Sequence, residues 1–184
     1  MIVDVSIHAA RYRDMRRPDG RVRLERFTDV QDAIDLVACR YQQLSEDEPA
    51  LAHNISPADP SDLRRWHHCG RLRAIRVGDT AVGAIAIAAG AVGWIAGDEI
   101  NEEVITTEHR GHGYAVSAQT DWAATLATDN TRTLVGTIDR HNPSSRKTAL
   151  RAGRPRVLDD VFVALRTPPT SHADSQGKLQ KGCA

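Results

Sequence analysis

Aromatic residues are scarce in this chain: Phe, Tyr and Trp together make up 4% of its 184 residues. A core must therefore come mainly from Ala, Val, Leu and Ile. Lysine is nearly missing as well, occurring only at positions 147, 178 and 181, so arginine carries almost all the positive charge. A GC-rich genome of bacterial type produces that bias as readily as function does. Neither sign of charge is in excess, since 24 basic and 24 acidic residues give a formal net charge of zero. No global field then draws the chain to nucleic acid, to anionic membrane or to acidic partners. No apolar run approaches the roughly 20 residues that cross a bilayer. Residues 1–7 carry neither a basic segment nor a long apolar stretch, so no signal peptide is expected. Three cysteines, Cys39, Cys69 and Cys183, are odd in number and far apart. They suit a reducing compartment and form no zinc pattern, so the expectation is a cytoplasmic protein without a bound metal. Cys39 falls on the apolar face of a helix and is expected in the core.

At 20.2 kDa the chain fits one domain with a sizeable core. Residues 1–20, Arg-rich and ending in the turn signal Pro18-Asp19-Gly20, read as an N-terminal arm. Residues 21–166 read as the single folded domain. Residues 167–184, rich in Thr, Pro, Ser and Gly, cannot bury a core and read as a disordered tail. Within the domain, residues 21–27 alternate as a half-buried strand. Thr28 is placed to cap a helix in which Ala33, Ile34, Val37, Ala38 and Tyr41 repeat at helical spacing to about Leu44. Residues 45–60 read as an acidic loop, and 62–68 as a short helix carrying Leu63 and Trp66 on one face. Strands follow over 71–77 and 81–88 with Gly78-Asp79 as the turn, and over 99–107. A helix opens at Tyr114, a buried strand spans 133–138, and a second helix runs from Ser144 to Ala152. Residues 154–157 and 161–165, separated by Asp159-Asp160, read as a final strand pair. The order is β-α-α-β-β-β-α-β-α-β, which describes an α/β (α+β mixed) fold with helices on both faces of a mixed sheet.

The most informative stretch is 104–121. A β-branched run stops at a polar turn, a loop punctuated by Gly111 and Gly113 follows, and a helix begins. Glycine lets the backbone turn sharply and lets a ligand come close. The first helical amides lack intrahelical partners and sit at the positive end of the helix dipole, so the arrangement suits an anion, most often phosphate. A purely geometric role for the two glycines is the alternative.

Arg110-Gly111-His112-Gly113-Tyr114-Ala115 resembles the R-x-x-G-x-A signature of the GNAT acyltransferase superfamily. Asn142-Pro143-Ser144-Ser145, followed by Ala152-Gly153, resembles that family's N-x-x-S…G segment, and the element order over residues 21–165 agrees. The resemblance implies a mostly antiparallel sheet of six to seven strands, splayed between the strand ending near Thr107 and the strand 133–138. It implies acetyl-CoA or another acyl-CoA as cosubstrate, with its pyrophosphate on Arg110, Gly111, His112, Gly113, Tyr114 and Ala115. The pantetheine arm would pair with the main chain of Val104, Ile105 and Thr106, and Asn142 would hold it by its side-chain amide, with Ser145 nearby. Asn142 also suits a helix cap, and Arg110 a surface pair with Glu108.

The implied reaction is direct attack of an amine, from a small molecule or a protein, on the thioester carbonyl. It needs a base, donors for the oxyanion and an acid for the leaving thiolate. Counting back along the strand puts Glu99 where family members carry the base, with Glu102 and Glu103 as neighbours. Adjacent carboxylates point to opposite faces, so Glu102 and Glu103 cannot both serve; all three could instead line a solvated face. His141 is a second candidate base, its ordinary pKa being suitable. The chain departs from the family at Ala149, where a tyrosine commonly protonates the thiolate; Ser145 is a substitute through its hydroxyl. Arg154 likewise stands where an aromatic commonly follows the glycine. An N-acetyltransferase is the leading expectation, compatible with a homodimer. A non-catalytic acyl-CoA-binding or regulatory module on the same fold is the alternative that Ala149 motivates. The acids Glu46, Asp47 and Glu48 would draw a cationic amine.

Overall fold

The computed structural model describes residues 2–163. Seven strands form one sheet in the order β2-β3-β4-β5-β6-β1-β7. They are β1 (Ile2–Arg11), β2 (Arg23–Glu25), β3 (Leu72–Val77), β4 (Thr80–Val92), β5 (Ile95–Ile105), β6 (Thr133–Asp139) and β7 (Arg156–Phe162). Five α-helices among the described residues accompany them: α1 (Val30–Asp47), α2 (Pro49–Ala52), α3 (Pro60–His68), α4 (Tyr114–Asp121) and α5 (Pro143–Ala152). Every strand pair is antiparallel except β5 with β6. That parallel pair is held only at Asp98 opposite Leu134 and Glu99 opposite Val135, after which the two strands part. The mixed sheet and its splay agree with the expectation.

One apolar layer lies between the sheet and α4 and α5, with Ile75, Ile85, Ile87, Trp122, Leu134 and Ala152 at its centre. The other lies under α1 and α3 and contains Ala33, Ile34, Val37, Leu63, Trp66 and Leu72. Each fully buried Ile or Leu contributes about 1.5–3 kcal/mol of transfer free energy. Helix starts are locally specified. The Asp29 carboxylate accepts from the Gln31 amide at 2.9 Å, so Asp29 rather than Thr28 caps α1. Asp59 caps α3 in the same way through the Ser61 amide, with Pro60 in the first turn, where its missing N–H costs nothing. Such caps are worth about 1 kcal/mol each.

Four further expectations need correcting. Residues 2–11 are not part of an irregular arm but an interior strand, paired antiparallel to both β6 and β7. With neighbouring strands on both edges, Ser6 and His8 are enclosed despite being polar. Ser6 is 2% exposed and donates to the Ile138 carbonyl, and His8 is 1% exposed with Nδ1 3.1 Å from the Arg154 carbonyl. Over the described part of 154–165, which ends at residue 163, there is one strand and not a pair. Asp159 and Asp160 lie within the continuous edge strand β7, where carboxylates can face water, and Asp159 pairs with Arg156. The acidic loop is shorter than read, because α1 continues to Asp47 and α2 follows at once. Cys39 is exposed, because the buried face of α1 runs through Ala33, Ile34, Val37 and Leu44. The tail read over 167–184, with Cys183, lies outside the described residues. Among the described residues no helix is long and apolar enough to cross a membrane.

Candidate functional site

Where β5 and β6 part, the edge of β5 beyond Glu99 has no strand beside it, and a cleft of about 300 Å³ opens. One wall comes from α1 and the segment after it, through Arg40, Tyr41, Leu44, Glu48, Leu51 and Ile55. Glu103, Val104 and Ile105 of β5 form the floor. The loop before α4 and the outer face of α5 close the far side, with Arg110, Gly111, Gly113, Tyr114, Ala115, Asn142, Ser145 and Thr148 among the lining residues.

The loop owes its shape to its glycines. Gly111 has φ +80° and Gly113 φ +78°, the left-handed region, where a side chain costs about 1–2 kcal/mol. Gly113 is the N-cap of α4 and offers no side chain to bond the first helical amides. Those amides are therefore left without a side-chain partner. Arg21 braces the loop from outside, donating to the His112 carbonyl at 2.8 Å and to Ser117 Oγ at 3.3 Å. On the inner side Arg110 pairs with Glu48 at 2.7 Å, not with Glu108.

The acids of β5 are sorted by a bulge. Ala86 faces Glu102 and Ile87 faces Ile100, leaving Asn101 without a partner on β4. An extra residue reverses the alternation of side chains beyond it. Ile100, before the bulge, and Ile105, after it, therefore both pack toward α4, while Val104 joins the α1 layer. Glu99 and Glu103 consequently project to opposite faces although four residues apart.

Glu102 is 5% exposed and fully engaged: its carboxylate accepts from the Ala58 amide at 2.9 Å, the Tyr41 hydroxyl at 3.3 Å and the Glu103 amide at 3.1 Å. It ties α1 and the start of α3 to the strand. Glu103 is different. Its Oε2 accepts from Gln119 Nε2 at 2.8 Å, and its Oε1 is enclosed without a partner among the described residues. Burial pushes its carboxyl up to about 7, against the opposing pull of Arg154 and the Gln119 hydrogen bond. Arg154, 3% exposed, donates through Nε to Gln119 Oε1 at 3.0 Å, so one amide bridges the guanidinium to the carboxylate. Its own burial pulls Arg154 down to about 10. Together these groups hold a carboxyl that changes protonation near neutral pH at the mouth of a cleft.

The expected site residues divide accordingly. Val104, Ile105, Arg110, Gly111, Gly113, Tyr114, Ala115, Asn142 and Ser145 line the cleft. His112 lies on the other side of the loop, its ring stacked on Tyr114 at 5.5 Å. Thr106 is beside the cleft, with its amide given to the Val82 carbonyl and its hydroxyl 2.8 Å from His109 Nδ1. Asn142 caps α5, its Oδ1 accepting from the Ser145 amide at 2.9 Å. Glu99 is half-buried beside Gly90, on the face away from Glu103, and burial raises its pKa. His141 is exposed outside the cleft, and its Nε2 accepts from Arg140 Nε at 2.8 Å. Neither Glu99 nor His141 is brought to the cleft wall. Glu46 and Asp47 are exposed, and only Glu48 of that acidic run reaches it.

No family model matches the chain, and no curated protein matches it. Solved structures do. The Bacillus subtilis protein YycN superimposes with a TM-score of 0.54 at 19% identity, covering 79% of this chain and 98% of that one. A GNAT-family acetyltransferase from Colwellia psychrerythraea superimposes at 0.51 with 12% identity, over 84% of this chain but 53% of that one. An aminoglycoside acetyltransferase from an uncultured soil metagenomic sample, solved with sisomicin, gives 0.50 at 14% identity, over 81% and 97%. This is the GNAT acetyltransferase fold. At such identities the likeness is one of fold.

Within the GNAT fold of this chain, sequence reasoning gave too little weight to Glu103 and missed its bridge through Gln119 to Arg154. Arg40 was also missed: it lines the cleft, its Nη1 is enclosed without a partner among the described residues, and burial beside Arg110 lowers its pKa. Only the helical spacing of Arg40 and Tyr41 with Leu44 could have flagged that wall. An acyl-CoA fits these residues. An open strand edge suits an amide-containing arm, and a glycine loop with free amides and an unpaired guanidinium suit phosphates.

Proposed function

We propose that the chain is an N-acyltransferase that moves an acetyl or related acyl group from acyl-CoA to an amine. The single observation that carries this reading is the Glu103 carboxyl, raised to about 7 on the floor of a cleft whose far wall is the glycine loop that opens α4. The amides of residues 111–115 and Arg110 would hold the pyrophosphate, and the free edge of Val104 to Thr106 the pantetheine amides. Asn142 would add its side-chain amide, since capping uses only its oxygen. Bound acyl-CoA supplies the thioester carbonyl. Glu103 accepts the proton that an acceptor ammonium must shed before it can attack, and Gln119 and Arg154 keep the carboxyl oriented. Glu99 and His141 remain candidate bases only for an acceptor that approaches from outside the cleft. Ser145 and Tyr41, both in the cleft lining, are the hydroxyls we assign to the leaving-group acid. Burial and Glu102 hold the Tyr41 phenol above its ordinary pKa, so it stays protonated. Neither a nucleic-acid nor a membrane partner is needed, and the chemistry suits the cytoplasm.

The second reading, a non-catalytic acyl-CoA-binding module, is favoured by one observation: Ala149 is fully buried and presents no hydroxyl where the family commonly has one. Release of free thiol from acetyl-CoA, measured against a panel of small amines and amine-bearing peptides, separates the two. Turnover lost in Glu103→Gln supports the enzyme. Binding without turnover against every amine supports the module.

A further inference from the structure

The glycine loop has two sides. The cleft with Glu103 lies on one, and a second groove lies on the other, sharing Gly111, Gly113, Val116 and Arg151 with it. Arg16, Arg17 and Arg21 line that groove together with Arg151 and a single acid, Asp19. The segment carrying them is firmly placed. Tyr12 and Met15 are buried, the Arg16 amide donates to the Ala152 carbonyl at 3.1 Å, and Asp19 accepts from Ser117 Oγ at 2.9 Å.

Charge in this groove is unbalanced. Asp19 is already paired with Arg21 at 2.8 Å. Among the described residues, Arg16, Arg17 and Arg151 have no carboxylate within ion-pair distance, in a chain whose formal net charge is zero. Three left unpaired in one groove, against a loop suited to phosphate, mark a place for a further anion.

We propose that Arg16, Arg17 and Arg151 bind the ribose 3′-phosphate of coenzyme A, and so make the chain selective for CoA over 3′-dephospho-CoA. The proposal rests on the acyl-CoA reading. A diphosphate seated on the loop has its acyl arm in the cleft and its nucleotide directed past Gly111 and Gly113 toward the groove. The 3′-phosphate is the remaining anion of that nucleotide, and a dianion near neutral pH is best held by several guanidinium groups.

Isothermal titration with CoA and with 3′-dephospho-CoA tests this without any acceptor. The proteins are the wild type, the double variant Arg16→Ala/Arg17→Ala, the variant Arg151→Ala, and Arg13→Ala as a charge-matched control outside the groove. Wild type should bind CoA roughly tenfold or more tighter than the dephospho form, a difference expected to weaken with salt. The double variant should bring that ratio close to one while leaving the dephospho-CoA affinity unchanged, Arg151→Ala should reduce it, and Arg13→Ala should preserve it. A wild-type ratio near one, or an unchanged ratio in both groove variants, overturns the proposal and leaves the acyl-CoA reading standing. Failure of wild type to bind either ligand overturns both.

Discussion

Replacing Glu103 by Gln should make the protein more stable at pH 8 and change little at pH 5. An ordinary glutamate titrates at 4.5, whereas burial pushes Glu103 up to about 7. Between those values the folded protein holds a proton that the unfolded chain has released, so stability falls as pH rises. Below 4.5 both states are protonated and the cost vanishes; above about 7 both are ionised and the cost is constant. Each tenfold in proton affinity is worth about 1.4 kcal/mol, so the full rise corresponds to at most about 3.5 kcal/mol. Glu103 keeps some exposure, which makes this an upper bound, and about 1–3 kcal/mol is the expected range. Glutamine is nearly isosteric, and its carbonyl can still accept from Gln119 Nε2. Glu99, Glu102 and Asp121 also have raised pKa values and add their own slopes. The informative quantity is therefore the difference between variant and wild type, measured by urea unfolding followed by circular dichroism at both pH values. If the difference between the two proteins is the same at pH 5 and pH 8, Glu103 is not a destabilised carboxyl, and the case for it as a base loses its physical footing.

Other consequences are equally accessible. With an amine acceptor in hand, kcat/KM should rise with pH through a midpoint near 7 to a plateau above it, and Glu103→Gln should lower it by roughly 10²–10⁴. Arg154→Met removes the cation that opposes the rise in Glu103, so the midpoint of that profile should move to higher pH. It also strips donors from Gln119 and from the His8 carbonyl, and should cost about 2 kcal/mol or more in urea unfolding. Gly113→Ala forces a side chain into φ +78° and places its Cβ 3.1 Å from Arg21 Nη2. A loss of about 1–2 kcal/mol is expected, seen as a melting temperature lower by about 2–8 °C, together with weaker CoA binding.

The glycine loop was legible because its information is local. Two glycines between a β-branched strand and an apolar helix permit left-handed backbone, and Gly111 and Gly113 adopt it. The hairpin at Gly78-Asp79 and the amphipathic helix from Val30 were readable for the same reason. What failed was non-local. Residues 2–11 carry Asp4, Ser6 and His8 between apolar positions, and nothing nearby in sequence says that Ile138 and Arg154 will satisfy Ser6 and His8 in the interior. The acids of β5 failed through a single residue. Counting by twos carries Glu99 and Glu103 to the same face, and the bulge at Asn101 separates them. A bulge is set by how β4 and β5 meet, not by the composition of β5 alone. Arg154, standing in place of an aromatic, showed that something was unusual after Gly153. Its partners, Gln119 and His8, are 35 and 146 residues away and only the fold brings them together.

The central claim is that the cleft between β5, α1 and α5 holds an acyl-CoA against the loop at 110–115. Thermal unfolding of the wild-type protein during titration with acetyl-CoA tests it most directly. Saturation to a hundredfold above the dissociation constant should add about 2.7 kcal/mol of stability. For a chain of this size that raises the melting temperature by about 5–10 °C, and Gly113→Ala should blunt the shift. No shift at millimolar acetyl-CoA would contradict the claim.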